Sequence, residues 1–165
     1  MQFKGRAHCF GDNINTDYII SSKRKRDTLD MKELVPYLLE TVDPDFSKNI
    51  TEGDFIVAGA NFGCGSSREA APLIIQASGI SAVLAKSFAR IFYRNALNCG
   101  LPVLELNTGL IKQGDIIEVT LREAEGWVKL CSKEEIIPFV TPGGFAIELI
   151  KAKGLLNYIK KNPDF

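Results

Sequence analysis

One stretch constrains this chain more than any other: Gly59-Ala60-Asn61-Phe62-Gly63-Cys64-Gly65-Ser66-Ser67-Arg68-Glu69. An apolar run, Phe55-Ile56-Val57-Ala58, leads straight into it, and a helical pattern from Ala70 to Ala77 leads straight out. The spacing predicts a strand, a glycine-rich turn and a helix N-terminus. Glycines at 59, 63 and 65 permit positive φ and let a ligand approach the backbone closely. A helix start offers free N–H groups and partial positive charge, which suit an anion. The guanidinium of Arg68 can grip a carboxylate through two parallel hydrogen bonds. The same residues also read as a capping box, with Ser66 at N-cap and Glu69 at N3. Both readings can hold together, because Ser66 can cap while Ser67 and Arg68 face a ligand. No Gly-Lys-Ser/Thr follows the turn, and no Gly-x-Ser-x-Gly occurs in it, so a Walker loop and a serine-hydrolase elbow are both excluded.

The segments around this turn set the fold class. Residues 2–9 alternate weakly as a first strand, and residues 30–40 carry helical spacing, with Met31, Leu34, Val35 and Leu38 on one side. Gly79 marks a helix end, and Ser81 to Ala85 is a short buried strand. Ser87 to Gly100 reads as a capped amphipathic helix ending at glycine, and Leu101 to Leu106 as the next strand. Strand, helix, strand, helix, strand is the pattern of a small parallel sheet. Ile116–Leu121, Trp127–Leu130 and Ile136–Phe139 then follow at hairpin distances as an antiparallel meander, and helices near 144–152 and 155–161 close the chain.

Composition excludes several classes. Twenty basic and twenty acidic residues cancel, which gives no reason to expect nucleic acid or a membrane surface as partner. No apolar run approaches the roughly 18 residues that span a bilayer, and residues 1–6 lack the apolar core of a signal peptide, so a cytoplasmic location is expected. Cys9, Cys64, Cys99 and Cys131 are scattered, with one histidine in the chain, so no metal site is expected here. Cys64 lies in the turn, where it is either a reactive thiol or a small turn residue.

Two further segments are polar. Phe10 to Asp17 is turn-rich, and Asp12 and Asp17 suit Asx-turns. Lys23-Arg24-Lys25-Arg26 sets four cations together in an otherwise balanced chain. That run is either a solvated loop or a flap that brings positive charge to an anionic ligand.

Asn61 to Glu69, followed by Ala85-Lys86-Ser87-Phe88-Ala89-Arg90-Ile91-Phe92-Tyr93-Arg94-Asn95 and preceded by Gly11-Asp12 and Thr16-Asp17, closely resembles the small-subunit family of 3-isopropylmalate dehydratases. That family matches the swivelling fourth domain of aconitase. The resemblance covers essentially the whole chain as one domain, residues 1–165. It implies an α/β fold, a three-layer β/β/α swivelling domain with a mostly parallel sheet plus a smaller antiparallel sheet. It also implies a large-subunit partner that carries a [4Fe–4S] cluster, with no cofactor on this chain. The implied reaction is isomerisation of a hydroxy dicarboxylate by dehydration and rehydration, 3-isopropylmalate to 2-isopropylmalate in leucine biosynthesis. Ser66 matches the serine whose alkoxide takes the carbon-bound proton, Ser67 and Arg68 match its substrate-binding neighbours, and Arg26 matches the arginine of the substrate-reading loop. Lys23, Arg24 and Lys25 are expected to face solvent or the partner. Many relatives carry a tyrosine-leucine-arginine-threonine type of loop where this chain has Arg24-Lys25-Arg26-Asp27. An isopropyl group suits an apolar contact and a third carboxylate suits arginine. The small subunit of homoaconitase, or of another alkylmalate dehydratase (dimethylmalate or citramalate), is therefore the nearest alternative. A non-catalytic anion- or RNA-binding module is the alternative of a different class.

Overall fold

Strand β1 (Gln2–Cys9) organises the fold by serving two partners in turn. A computed structural model describes residues 1–24 and 30–163. Within it, residues 2–6 of β1 pair antiparallel with β5 (Ile116–Leu121), Gln2 opposite Thr120. Residues 7–9 pair parallel with β2 (Phe55–Ala58), Ala7 opposite Phe55. With β3 (Ala82–Ala85), β4 (Val103–Glu105), β6 (Gly126–Leu130) and β7 (Glu135–Phe139), the strand order is β4-β3-β2-β1-β5-β6-β7. Strands β4 to β1 run parallel, and β5 to β7 continue as an antiparallel meander.

The layers follow from the two-residue side-chain period of a strand. In β2, Phe55 and Val57 join the cluster that contains Ile117, Val119, Val128 and Leu130 of the antiparallel strands. Ile56 and Ala58 join the opposite cluster, with Ala71, Ile74, Ile75 and Phe92 from helices. Ala82 and Leu84 of β3 face the first cluster, Val83 and Ala85 the second. The parallel strands are thus apolar on both faces, as a buried middle layer requires. One face packs on the meander and the other on helices, which is the expected β/β/α arrangement. The principal helices are α4 (Ala70–Ala77), α5 (Arg90–Cys99), α6 (Gly144–Ala152) and α7 (Leu155–Lys161). Among the described residues no helix is long and apolar enough to cross a membrane.

The helix expected over 30–40 is shorter. After one turn at α1 (Thr16–Ile19), α2 covers only Met31–Leu34 and passes into a 3-10 turn at Val35–Tyr37. Pro36 has no N–H to continue the α-helical ladder. A further turn, α3 (Phe46–Asn49), buries Phe46 under the ring of His8, edge to face at 5.4 Å.

His8 and Asp54 form a buried polar pair between β1 and the entry to β2. His8 Nε2 lies 2.8 Å from Asp54 Oδ2, and the two side chains are only 6% and 7% exposed. Asp54 also accepts the N–H groups of Arg6 at 3.0 Å and Thr51 at 2.9 Å. Burial pushes the Asp54 carboxyl up, but the His8 bond and the two backbone donors outweigh it and hold it below its ordinary value. A depressed carboxylate stabilises the fold at neutral pH and loses that contribution as the pH falls through the acid range, below about pH 4. Asp54→Ala should cost about 2–4 kcal/mol, because three donors lose their acceptor. Urea titrations of both proteins across that range should show a flatter acid limb in the variant.

Candidate active site

The loop after β2 is held open by a second segment rather than by its own helix. Gly63 N donates to Ile14 O at 2.7 Å, and Thr16 N donates to Cys64 O at 2.9 Å, so Asn15 and Cys64 pair as an isolated parallel bridge. Thr16 Oγ1 donates to Ser66 O at 2.8 Å. Gly63 and Gly65 take φ of 79° and 89°, in the left-handed region, and a Cβ on Gly65 would overlap the Asn15 side chain. Gly59 does not take positive φ. Its role is close approach, and the group that approaches is the chain's own Asp12, whose Oδ1 would overlap a Cβ there and accepts Ala60 N at 2.7 Å.

These braces revise the capping expectation. Helix α4 begins at Ala70, its N-cap is Glu69, and no side chain caps it. Ser66 is therefore not an N-cap, and the capping box does not form. The left-handed turn at Gly65 and the bond from Thr16 keep residues 66–68 off the helix, so the helix N-terminus lies farther from Ser66 than the spacing predicts. Ser87, the serine that would cap α5, instead accepts Asn61 N at 2.8 Å, and the α5 N-cap is Ala89, with no side-chain bond.

The released residues converge. Ser66, Ser67 and Arg68 line one cleft with Thr16, Ile91 and Phe92, of about 60 Å³. Both serines are exposed, and neither hydroxyl makes a hydrogen bond among the described residues. Arg68 is only 16% exposed, and its Nη2 lies 2.7 Å from Asp17 Oδ1. Its Nε is buried and has no hydrogen-bond partner among the described residues. A buried donor left empty costs roughly 1–3 kcal/mol, so the guanidinium is built to receive another acceptor.

The braces are residues to which the sequence reading gave only local turns. Asp12 and Asp17 do not make Asx-turns; they clamp Ala60 and pair with Arg68. The local turn is made by Asn15, which accepts Asp17 N at 2.9 Å. Cys64 acts through its main chain in the bridge, as a small turn residue would. The basic run is split. Arg24 does not simply face solvent: it forks onto Glu40 at 3.0 and 3.2 Å and lies 4.0 Å over the Tyr37 ring. Lys25 and Arg26 lie outside the described residues. Among the described residues no group of three or more His, Cys, Asp or Glu could hold a metal, and all four cysteines are free.

The model of the aconitase C-terminal domain family matches residues 10–109, a span that contains the loop, its braces and α5. The chain belongs to that family. The methanogen homoaconitase small subunit of Methanocaldococcus jannaschii is 50% identical over 161 residues, 98% of this chain and 93% of the relative. The 3-isopropylmalate dehydratase small subunit of Halothermothrix orenii is 49% identical over 162 residues, 97% of this chain and 96% of the relative. A crystal structure of 3-isopropylmalate dehydratase from M. jannaschii matches with a TM-score of 0.92 at 49% identity, covering 99% of this chain and 96% of that one. Near relatives in the aconitase family thus carry names for two different substrates.

Proposed function

We propose that this chain is the small subunit of an aconitase-family hydro-lyase that isomerises 3-isopropylmalate and 2-isopropylmalate through the unsaturated acid, as in leucine biosynthesis. The observation that carries the site reading is the buried, unpartnered Nε of Arg68 in the same cleft as Ser66 and Ser67. Arg68 binds a substrate carboxylate at that position, steadied by Asp17 at Nη2, and Ser67 donates to the same group. Ser66 Oγ, as the alkoxide, takes the carbon-bound proton and becomes the neutral hydroxyl, and it returns the proton on the reverse addition. The fixed positive charge of Arg68 lowers the cost of that alkoxide.

The family's [4Fe–4S] cluster finds no donor set among the described residues of this chain, so its Lewis acid is assigned to the large subunit. The cleft supports the same division. At about 60 Å³ it is far below the roughly 300 Å³ of an ordinary ligand pocket, which fits a site that a partner completes. The isolated chain should show no turnover and take up no cluster, and adding the cluster-loaded large subunit should restore activity. A 4Fe–4S spectrum on this chain alone after anaerobic reconstitution would refute the division of labour.

The homoaconitase reading is the second, favoured by the M. jannaschii relative of that name. Arg26, from the resemblance, is the residue proposed to separate the two. Arg26→Leu should change the ratio of kcat/KM between an alkylmalate and a tricarboxylate more than it changes Tm. An unchanged ratio removes Arg26 from substrate selection.

A further inference from the structure

Arg6 and His8 stand two residues apart on β1 and so share one face of the strand. Both line a cavity of about 550 Å³, walled on one side by Asp43 and Asn49, which flank α3, and on the other by Gln113 and Ile116 at the entry to β5. That volume is ordinary for a small-molecule site. None of these residues lines the cleft around Ser66. The walls are rich in donors that lack an acceptor. Among the described residues the side chains of Arg6 and Asn49 make no hydrogen bond or ion pair, and Arg6 uses only its backbone N–H, towards Asp54. Gln113 directs Oε1 to Cys9 N at 2.6 Å, which leaves its amide N–H groups to the cavity. His8 is the buried member, its side chain only 6% exposed. Asp54 takes Nε2 at 2.8 Å, and Nδ1 has no partner among the described residues. The Asp54 carboxyl is held below its ordinary value, so it is ionised at neutral pH and Nε2 is assigned the proton. Nδ1 is then the nitrogen that changes from lone pair to donor when the ring is protonated.

We propose that this cavity binds a small monocarboxylate, which pairs with the Arg6 guanidinium and accepts a hydrogen bond from His8 Nδ1 as the ring takes up a proton from solvent. The amide groups of Asn49 and Gln113 donate to the same carboxylate. Asp54 on one ring nitrogen and the ligand on the other stabilise the imidazolium from both edges. Asp43 sets the charge limit. It is the one carboxylate among the side chains named, and it opposes a dianion such as phosphate more than a monoanion. Ile116 is 40% exposed and gives a short ligand tail an apolar wall.

His8 is the single histidine of the chain, so its ring reports on the cavity directly. The full chain is titrated with sodium acetate, at constant ionic strength set with sodium chloride, while the imidazole nitrogen signals are followed by NMR. The expected result is a saturable change in which Nδ1 moves to its protonated form. Kd should rise about tenfold or more between about pH 6.5 and pH 8.5, because a neutral ring turns a lone pair towards the carboxylate. The other charged groups facing the ring are Arg6 on β1, Asp54 at the entry to β2 and Asp43 before α3. Carboxylates and guanidinium groups do not titrate in that interval, and the Cys9 thiol, pushed up to about 11 by burial, stays protonated. Gln113 and Ile116 are uncharged. Arg6→Gln, at an exposed position, should raise Kd for acetate about tenfold with an unchanged circular dichroism spectrum. Asn49→Asp should also weaken binding, by adding a second carboxylate to the wall. Inorganic phosphate should bind more weakly than acetate. Ring signals that respond to acetate no more than to chloride overturn the proposal. So does a Kd that is the same at both pH values or is untouched by Arg6→Gln, and tighter binding of phosphate overturns the monocarboxylate assignment.

Discussion

Ser66→Ala should lower kcat of the reconstituted enzyme by about three orders of magnitude or more, while Tm and large-subunit affinity stay at wild-type values. The separation is sharper than the sequence suggests. A capping serine would cost about 1 kcal/mol on replacement. Here α4 is capped by no side chain and starts at Ala70. The one bond that ties Ser66 to the brace goes to its backbone oxygen, from Thr16 Oγ1, and survives in alanine. Loss of activity with an unchanged melt therefore isolates the hydroxyl. Substrate KM should change little, because Ser67 and Arg68 remain. Near-normal turnover would reduce Ser66 to a loop residue and move the proton abstraction elsewhere.

Arg68→Lys should lower kcat/KM by about two orders of magnitude even though the charge is kept. Arginine serves two acceptors from one plane: Nη2 holds Asp17, and the buried Nε remains for substrate. An ammonium has no second edge at a fixed angle, so it can satisfy Asp17 or the substrate but not both in this geometry. Asp17 is 48% exposed, so its loss of partner is covered by water and costs little stability. The effect should appear in KM as well as kcat, in contrast to Ser66→Ala. Less than a twofold loss would confine Arg68 to bracing Asp17.

The β2–loop–α4 unit and the meander were legible because their signals are local. Phe55–Ala58 is a continuous buried run, and Ile116–Leu121 alternates. The β/β/α layering and the matching of the loop to a family came from the resemblance, since no spacing in one strand reports which sheet covers it. The start of α4 was misread for a physical reason. Ser66 and Glu69 have capping-box spacing, but Gly65 in the left-handed region and the bonds from residues 14–16 hold the backbone off the helix. Those bonds join residues about fifty positions apart, and no local pattern encodes them. The same blindness turned Asp12 and Asp17 into Asx-turns, when one clamps Ala60 and the other holds Arg68. The expectation that Arg24 faces solvent or the partner misses its contacts because Glu40 and Tyr37 lie beyond the run.

The double service of β1 has a kinetic consequence. Its parallel partner β2 is synthesised some fifty positions later, but its antiparallel partner β5 only after both helical crossovers, with Gln2 meeting Thr120. Chain closure over such separations is entropically expensive before the contacts reward it, and proteins dominated by them fold slowly. During translation β1 can settle against β2 while its antiparallel half stays an open edge, and such edges are what nascent chains aggregate through. Arg6 and Lys4, exposed along that half, are charges of the kind that keep a waiting edge from pairing with a neighbour's. Lys4 ends opposite Glu118, 2.8 Å away, so the residue that guards the edge before closure joins the seam after it.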